Sequence, residues 1–229
     1  MKRIVLLHGA IGSSDQLNPL AETLNKEGFQ TFTFNFSGHG KTPFQNNFDI
    51  NTFALELKLF IENKNLHKAS VFGYSMGGYV ALYLAKLAPE LLGNIITLGT
   101  KFNWTKEIAE REIQNLNPET ILQKVPKFAL ALEQRHGQNW KTLLEKTAEM
   151  MTGLGEKNVL NLSDFTAIKN NILIGLADKD SMVSLEETIN VYKHLPNAAM
   201  YMLPNTKHPI ESVNIKLLTQ ILDNFITTT

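Results

Sequence analysis

A chain of 229 residues, 43% of them hydrophobic, is long enough to bury a core and fits one elaborated domain better than two small ones. Its 22 basic and 22 acidic residues cancel to a formal net charge of zero, which speaks against a broad basic surface for nucleic acid or an anionic membrane. There is no cysteine, which excludes disulfides, thiolate metal ligands and cysteine nucleophiles together and fits a reducing compartment.

The opening stretch MKRIVLL carries two positive charges and an apolar run, Ile4–Leu7, that is too short for the core of a signal peptide and passes straight into His8 and Gly9. It reads as a strand, Arg3–Leu7. No apolar run approaches membrane-spanning length, so the expectation is a soluble, cytoplasmic protein. Five further strands are predicted, at Thr31–Asn35, Ala69–Phe72, Ile95–Leu98, Ile172–Gly175 and Ala199–Leu203. Several are apolar on both faces, as strands of a parallel sheet covered by helices must be. Helical periodicity falls between them, near Asp15–Lys26, Asn51–Asn65, Met76–Leu87 and Leu185–His194, and Asn214–Phe225 closes the chain. This alternation predicts an α/β fold with a doubly wound, mostly parallel sheet of about six strands. The rhythm breaks between about Trp104 and Phe165, where only helical patterns occur. An insertion there would sit over the C-terminal edge of the sheet, where such sheets bind ligands, and is expected to be a lid (104–165) within a single domain (1–229) rather than a domain of its own.

One serine stands out. GYSMG, Gly73 to Gly77, fits G-x-S-x-G and lies where a strand (Ala69–Phe72) gives way to a helix (Met76–Leu87). A sharp turn at that point lifts a serine above the sheet edge, small flanking residues permit the close backbone approach, and the helix start aims N–H groups at developing negative charge. The pattern nominates Ser75 as a nucleophile; the competing reading is a glycine-rich helix entry with a capping serine.

LLHGAIGSS, FNFSGHGKT, GYSMGGYVAL, GLADKDSMVS and LPNTKHPIE resemble, in order, successive landmarks of the α/β-hydrolase superfamily. The resemblance spans nearly the whole chain and is weakest through residues 104–165. It implies a serine hydrolase with a small helical lid. His208, on the loop after the last predicted strand, would be the base. The acid would follow the penultimate strand, where counting from Gly175 favours Asp178 but the aspartate-to-valine turn ending at Val183 favours Asp180, the preferred candidate. The backbone N–H groups of Ala10 and Met76 would form the oxyanion hole, and His8 would be a structural hydrogen-bonding group rather than a second base.

The GKT of SGHGKT is not a phosphate-binding loop, because Asn35 stands where that motif needs its first glycine. The histidines show no clustered metal spacing, and the implied chemistry needs neither metal nor cofactor. Trp104, Phe128, Trp140, Met150 and Met151 suit an acyl pocket or ordinary helix packing equally well. The expected substrate is a small molecule, an ester of a small or medium apolar acid, with neither nucleic acid nor membrane as partner. A carbon–carbon bond hydrolase or lyase resembling the menaquinone-pathway synthase, and a hydrolase-fold receptor with little or no turnover, are the alternatives.

Overall fold

The computed structural model describes residues 2–229. Six strands among them form one parallel sheet: β1 (Lys2–Leu7), β2 (Phe29–Thr33), β3 (Ser70–Tyr74), β4 (Ile95–Leu98), β5 (Ile172–Ala177) and β6 (Ala198–Leu203), in the spatial order β2-β1-β3-β4-β5-β6. Successive side chains of a strand point to opposite faces. Ile4 and Leu6 of β1 accordingly pack with helices α1 (Asn18–Lys26) and α10 (Ile215–Thr228), through Leu20, Leu24, Leu218 and Leu222. Val5 and Leu7 pack on the other face with α2 (Ile50–Asn63) and α3 (Met76–Leu87). Both faces of the sheet are covered, which is why the strand sequences read as continuous apolar runs rather than as alternations.

Helix starts follow the local chemistry. The Asp49 carboxylate accepts the Thr52 N–H at 2.8 Å to cap α2, and Ser184 with Glu187 forms a capping box at α9 (Leu185–His194). Asp15 falls in a single 3₁₀ turn, Ser14–Leu17, rather than opening an α-helix; α1 begins only at Asn18, where Pro19 suits the first turn. The second strand lies two residues earlier than predicted. Its partner β1 ends the pairing at Leu6↔Thr33, so Phe34 and Asn35 leave the sheet although the aromatic alternation continues. Phe34 stacks on Phe60, and the Asn35 side chain accepts the Ser14 N–H at 2.7 Å.

Between β4 and β5 the chain forms α4 (Lys106–Ile113), α5 (Pro118–Lys124), α6 (Pro126–His136), α7 (Trp140–Glu156) and α8 (Leu162–Phe165). Helices α5, α6 and α7 share a small core of their own with Leu116, built on Ile121, Leu132, Trp140 and Leu144. Met150, Leu154, Leu160 and Phe165, however, belong to the large core against the sheet. The insert is thus anchored to the body at its C-terminal half.

The sheet reverses its direction of growth between β1 and β3, since β2 is added on one side of β1 and β3 to β6 on the other. Loops leaving the C-terminal ends of those two strands diverge to opposite faces and leave a crevice between them. One of these loops begins at His8 and the other contains Ser75.

The closing helix should matter for stability out of proportion to its position. Leu222 is fully buried against the sheet, so Leu222→Ala should cost about 2–5 kcal/mol of unfolding free energy. Denaturant titration checks this; a loss under about 1 kcal/mol would contradict the packing described.

Candidate active site

Ser75 joins β3 to α3 with φ 51° and ψ −118°, a conformation that costs a non-glycine residue about 1–3 kcal/mol and persists only where its surroundings enforce it. Four hydrogen bonds do so. The Ser75 N–H donates to the Leu98 carbonyl at 2.8 Å, while the Ser75 carbonyl accepts the Thr100 hydroxyl at 3.0 Å and the N–H groups of Gly78 and Tyr79 at 3.0 and 3.3 Å. The motif glycine two residues on is explained by space: a Cβ on Gly77 would lie 2.6 Å from the Leu7 carbonyl oxygen and 2.8 Å from that of His8.

His208 lies on the loop after β6 and lines the same cleft as Ser75. Its Nδ1–H donates to Oδ2 of Asp180 at 2.7 Å, and its backbone carbonyl accepts the Tyr74 hydroxyl at 3.0 Å. The Asp180 side chain is 1% exposed, and its other oxygen, Oδ1, accepts the N–H groups of Met182 and Val183 at 2.8 and 2.9 Å. Burial opposes ionisation of this carboxyl, but the hydrogen bond and charge of His208 and the two backbone donors outweigh it and hold the group below the usual aspartate range. Asp178, the other candidate, is exposed and accepts the Thr206 N–H at 2.9 Å, bracing the turn rather than the histidine. Gly99 explains how the pair fits: a Cβ there would crowd Asp180 Oδ2 at 3.3 Å and the His208 ring at 3.4 Å.

Ala10 and Met76 line the cleft with Ser75. Met76 is the first residue of α3, so its N–H has no partner within the helix. Neither N–H donates to another group among the described residues. Behind Ala10, His8 is fully buried; its Nε2 accepts the Phe36 N–H at 3.2 Å, which leaves Nδ1 to donate to the Gly9 carbonyl at 2.8 Å. Burial lowers its pKa to about 4, so at neutral pH this ring is an uncharged structural tie.

Two chambers meet at Ser75 and His208. The first, about 50 Å³, is mostly apolar, with Ile50, Tyr79, Trp104, Met150 and Leu154 among its walls. The second, about 440 Å³, is also mostly apolar, with Ile11, Leu116 and Phe128 on its walls and Gln16, Arg135 and Glu211 at its polar edge. Met151 borders both. Of the five large side chains noted in the sequence, Trp140 alone turns away, into the core of the insert.

Sequence patterns did not single out two charged residues on the narrow chamber, Lys101 and Glu112. The Lys101 ammonium donates to the Met182 carbonyl at 2.7 Å and lies 3.6 Å from Glu187 and 3.8 Å from Glu112, so it grips the turn that carries Asp180. An acid on the apolar face of α4, in line with Ala109 and Leu116, was the available signal for Glu112. No group of three or more potential metal ligands occurs among the described residues, and no helix among them is long and apolar enough to cross a membrane.

A family model described as the alpha/beta hydrolase fold matches residues 2–148. The chain belongs to the α/β-hydrolase family. As an α/β-hydrolase it is similar to an sn-1-specific diacylglycerol lipase, ABHD11, of Danio rerio, with 23% identity over 91% of this chain and 73% of the relative. Among solved structures, this hydrolase resembles an esterase from Exiguobacterium antarcticum, with a TM-score of 0.81 and 16% identity over 99% of this chain and 92% of the other. It also resembles an enol-lactonase from Burkholderia xenovorans LB400, with a TM-score of 0.81 and 15% identity over 99% and 91% of the two chains.

Burial has a consequence for acid stability. His8 and His136 are both held near pKa 4, below the ordinary histidine value of 6.5, so folding favours their neutral forms. Their contribution is complete above about pH 6.5 and is lost as the pH falls toward 4. For His8 alone the loss at pH 4.5 is about 2 kcal/mol, which should lower the melting temperature by about 4–8 °C relative to pH 7. A melting temperature unchanged over that range would contradict the assignment of neutral buried rings.

Proposed function

We propose that this α/β-hydrolase is a serine esterase in which Ser75 is the nucleophile, His208 the general base and Asp180 the residue that orients and charges-balances the histidine. The observation that carries the proposal is the strained serine facing the same cleft as a histidine whose far nitrogen is fixed by a buried carboxylate at 2.7 Å. The Asp180 bond supports the tautomer this needs: with Nδ1 protonated, Nε2 is left as the acceptor for the serine proton. Ser75 Oγ attacks the ester carbonyl as His208 takes its proton, and the tetrahedral oxyanion is received by the N–H groups of Ala10 and Met76. His208 then protonates the departing alcohol. Water, activated by the same histidine, attacks the acyl-enzyme and restores Ser75. Throughout, Asp180 stays ionised and stabilises the imidazolium. The names of the relatives, a diacylglycerol lipase, an esterase and an enol-lactonase, support an ester-type bond as the target.

Residues 104–165 act as a lid that roofs the narrow chamber through Trp104, ahead of α4, and through Met150 and Leu154 of α7. We assign that chamber to the acyl group, because it is the narrower of two mostly apolar spaces and lies under Trp104, Met150 and Leu154, and the wider one, with Gln16, Arg135 and Glu211 at its edge, to the alcohol. A space of about 50 Å³ holds a handful of water-sized groups, at roughly 10–15 Å³ each, which favours short acyl chains. Of the two arginines in the lid, Arg111 is 65% exposed and paired with Glu112, and Arg135 is paired with Glu211, so neither offers an uncommitted anion site.

With p-nitrophenyl esters of increasing acyl length, kcat/KM should peak at about two to four carbons and fall tenfold or more by about ten. A steady rise to ten carbons would overturn the assignment of the acyl chamber. Ser75→Ala should remove at least about 10³-fold of kcat. Asp180→Asn should cost about 10²–10⁴-fold while Asp178→Asn stays within about threefold; equal, mild losses in the two would remove Asp180 from the mechanism.

A further inference from the structure

His136 ends α6 and is 96 residues from one hydrogen-bond partner and 125 from the other. It is buried, and both ring nitrogens are engaged. Nδ1 accepts the backbone N–H of Gly40 at 2.9 Å, in the SGHGKT loop after β2. Since a backbone N–H can only donate and a carbonyl can only accept, Nε2 carries the proton and donates it to the Ile11 carbonyl, also at 2.9 Å. One lid side chain thereby spans two loops of the body.

The loop it holds is under strain. Gly9 to Gly12 form a turn closed by the Gly12 N–H on the Gly9 carbonyl at 3.1 Å, with Ile11 at its third position and φ 51°. That position ordinarily takes glycine or asparagine, and a β-branched residue there is an outlier that must be held from outside. The hold comes from the lid on two sides: the Ile11 side chain packs against the lid's own core, and its carbonyl is bonded to His136. Ala10, immediately before it, supplies an N–H to the cleft under the reading of the site given above.

We propose that His136 is a positioning residue through which the lid holds the oxyanion loop: its imidazole fixes the Ile11 peptide and with it the direction of the Ala10 N–H. The proposal rests on the serine-esterase reading, because only then does the Ala10 N–H meet an oxyanion. The lid is then more than a roof over the substrate. Seating it on the body and completing the oxyanion hole are one event, since the residue that docks the end of α6 is the residue that sets the loop.

The test uses the full chain with p-nitrophenyl acetate. His136→Phe keeps the ring and loses both hydrogen bonds; kcat should fall about 10–100-fold with KM within about twofold, because a misdirected donor weakens the transition state and not the ground state. His136→Gln, whose amide can both donate and accept, should recover kcat to within about threefold. A folded His136→Phe enzyme with wild-type kcat, or one whose loss appears in KM alone, would overturn the proposal. Should His136→Phe not fold, His136→Asn, able to reach one partner only, should show the same kcat loss at constant KM on a smaller scale, about three- to tenfold, and wild-type kcat in that variant would overturn the proposal equally. Activity that survives Ser75→Ala would instead bring down the serine-esterase reading itself, and this proposal with it, independently of any His136 result.

Discussion

The backbone at Ser75 is the constraint on which the rest of the site depends. Holding a serine at φ 51° costs about 1–3 kcal/mol, a sizeable part of the 5–15 kcal/mol by which a domain is ordinarily stable. The cost is offset by bonds from three directions: β4 through the Leu98 carbonyl, the loop after β4 through the Thr100 hydroxyl, and the first turn of α3 through Gly78 and Tyr79. Leu98 is itself fixed by the parallel sheet, and Gly78 and Tyr79 by the helix packed on it. The turn is therefore as rigid as the core beneath it, and in the proposed mechanism the serine it presents loses little further freedom on attack.

Electrostatics around the cleft follow a division by burial. One histidine, His208, has a carboxylate partner and edges the cleft, so a positive charge on it has somewhere to rest. Three others, His8, His39 and His136, are buried with backbone partners, and desolvation keeps all three neutral. They cluster behind the Gly9–Gly12 loop, with His8 and His39 rings 4.9 Å apart and His39 and His136 rings 6.3 Å apart. A protonated ring there would bring positive charge into an apolar wall and convert an acceptor into a donor facing an N–H. Keeping these rings neutral serves the structure, and keeping His208 paired serves the proposed chemistry.

Much of this was legible in the chain. Parallel strands buried on both faces leave apolar runs, and five of the six were placed with at least one end within a residue. The sixth, β2, slipped because pairing stopped at Thr33 while the alternation of Thr31 to Phe36 ran on; the end of a strand is set by its partner's length, which local pattern does not record. Ser75, Asp180 and His208 could be nominated because each follows the end of a strand, and strand ends in a parallel sheet converge on one edge. The choice between Asp178 and Asp180 rested on the turn to Val183, and the two N–H bonds from Met182 and Val183 to Asp180 are the physical content of that pattern. Lys101, Glu112 and His136 had no comparable signature. Each is tied to residues distant in the chain, Lys101 to Glu112, Met182 and Glu187 and His136 to Ile11 and Gly40, and helical periodicity tells which face of a helix is buried without telling what it meets.

The central claim is that the strained serine is activated, and its reactivity with a fluorophosphonate probe, read by intact mass, tests that most directly. The account predicts one covalent adduct on the wild-type protein, mapped to the peptide containing Ser75, and none on a folded Ser75→Ala variant. A folded wild-type protein that stays unlabelled, or an adduct that persists in Ser75→Ala, would contradict it.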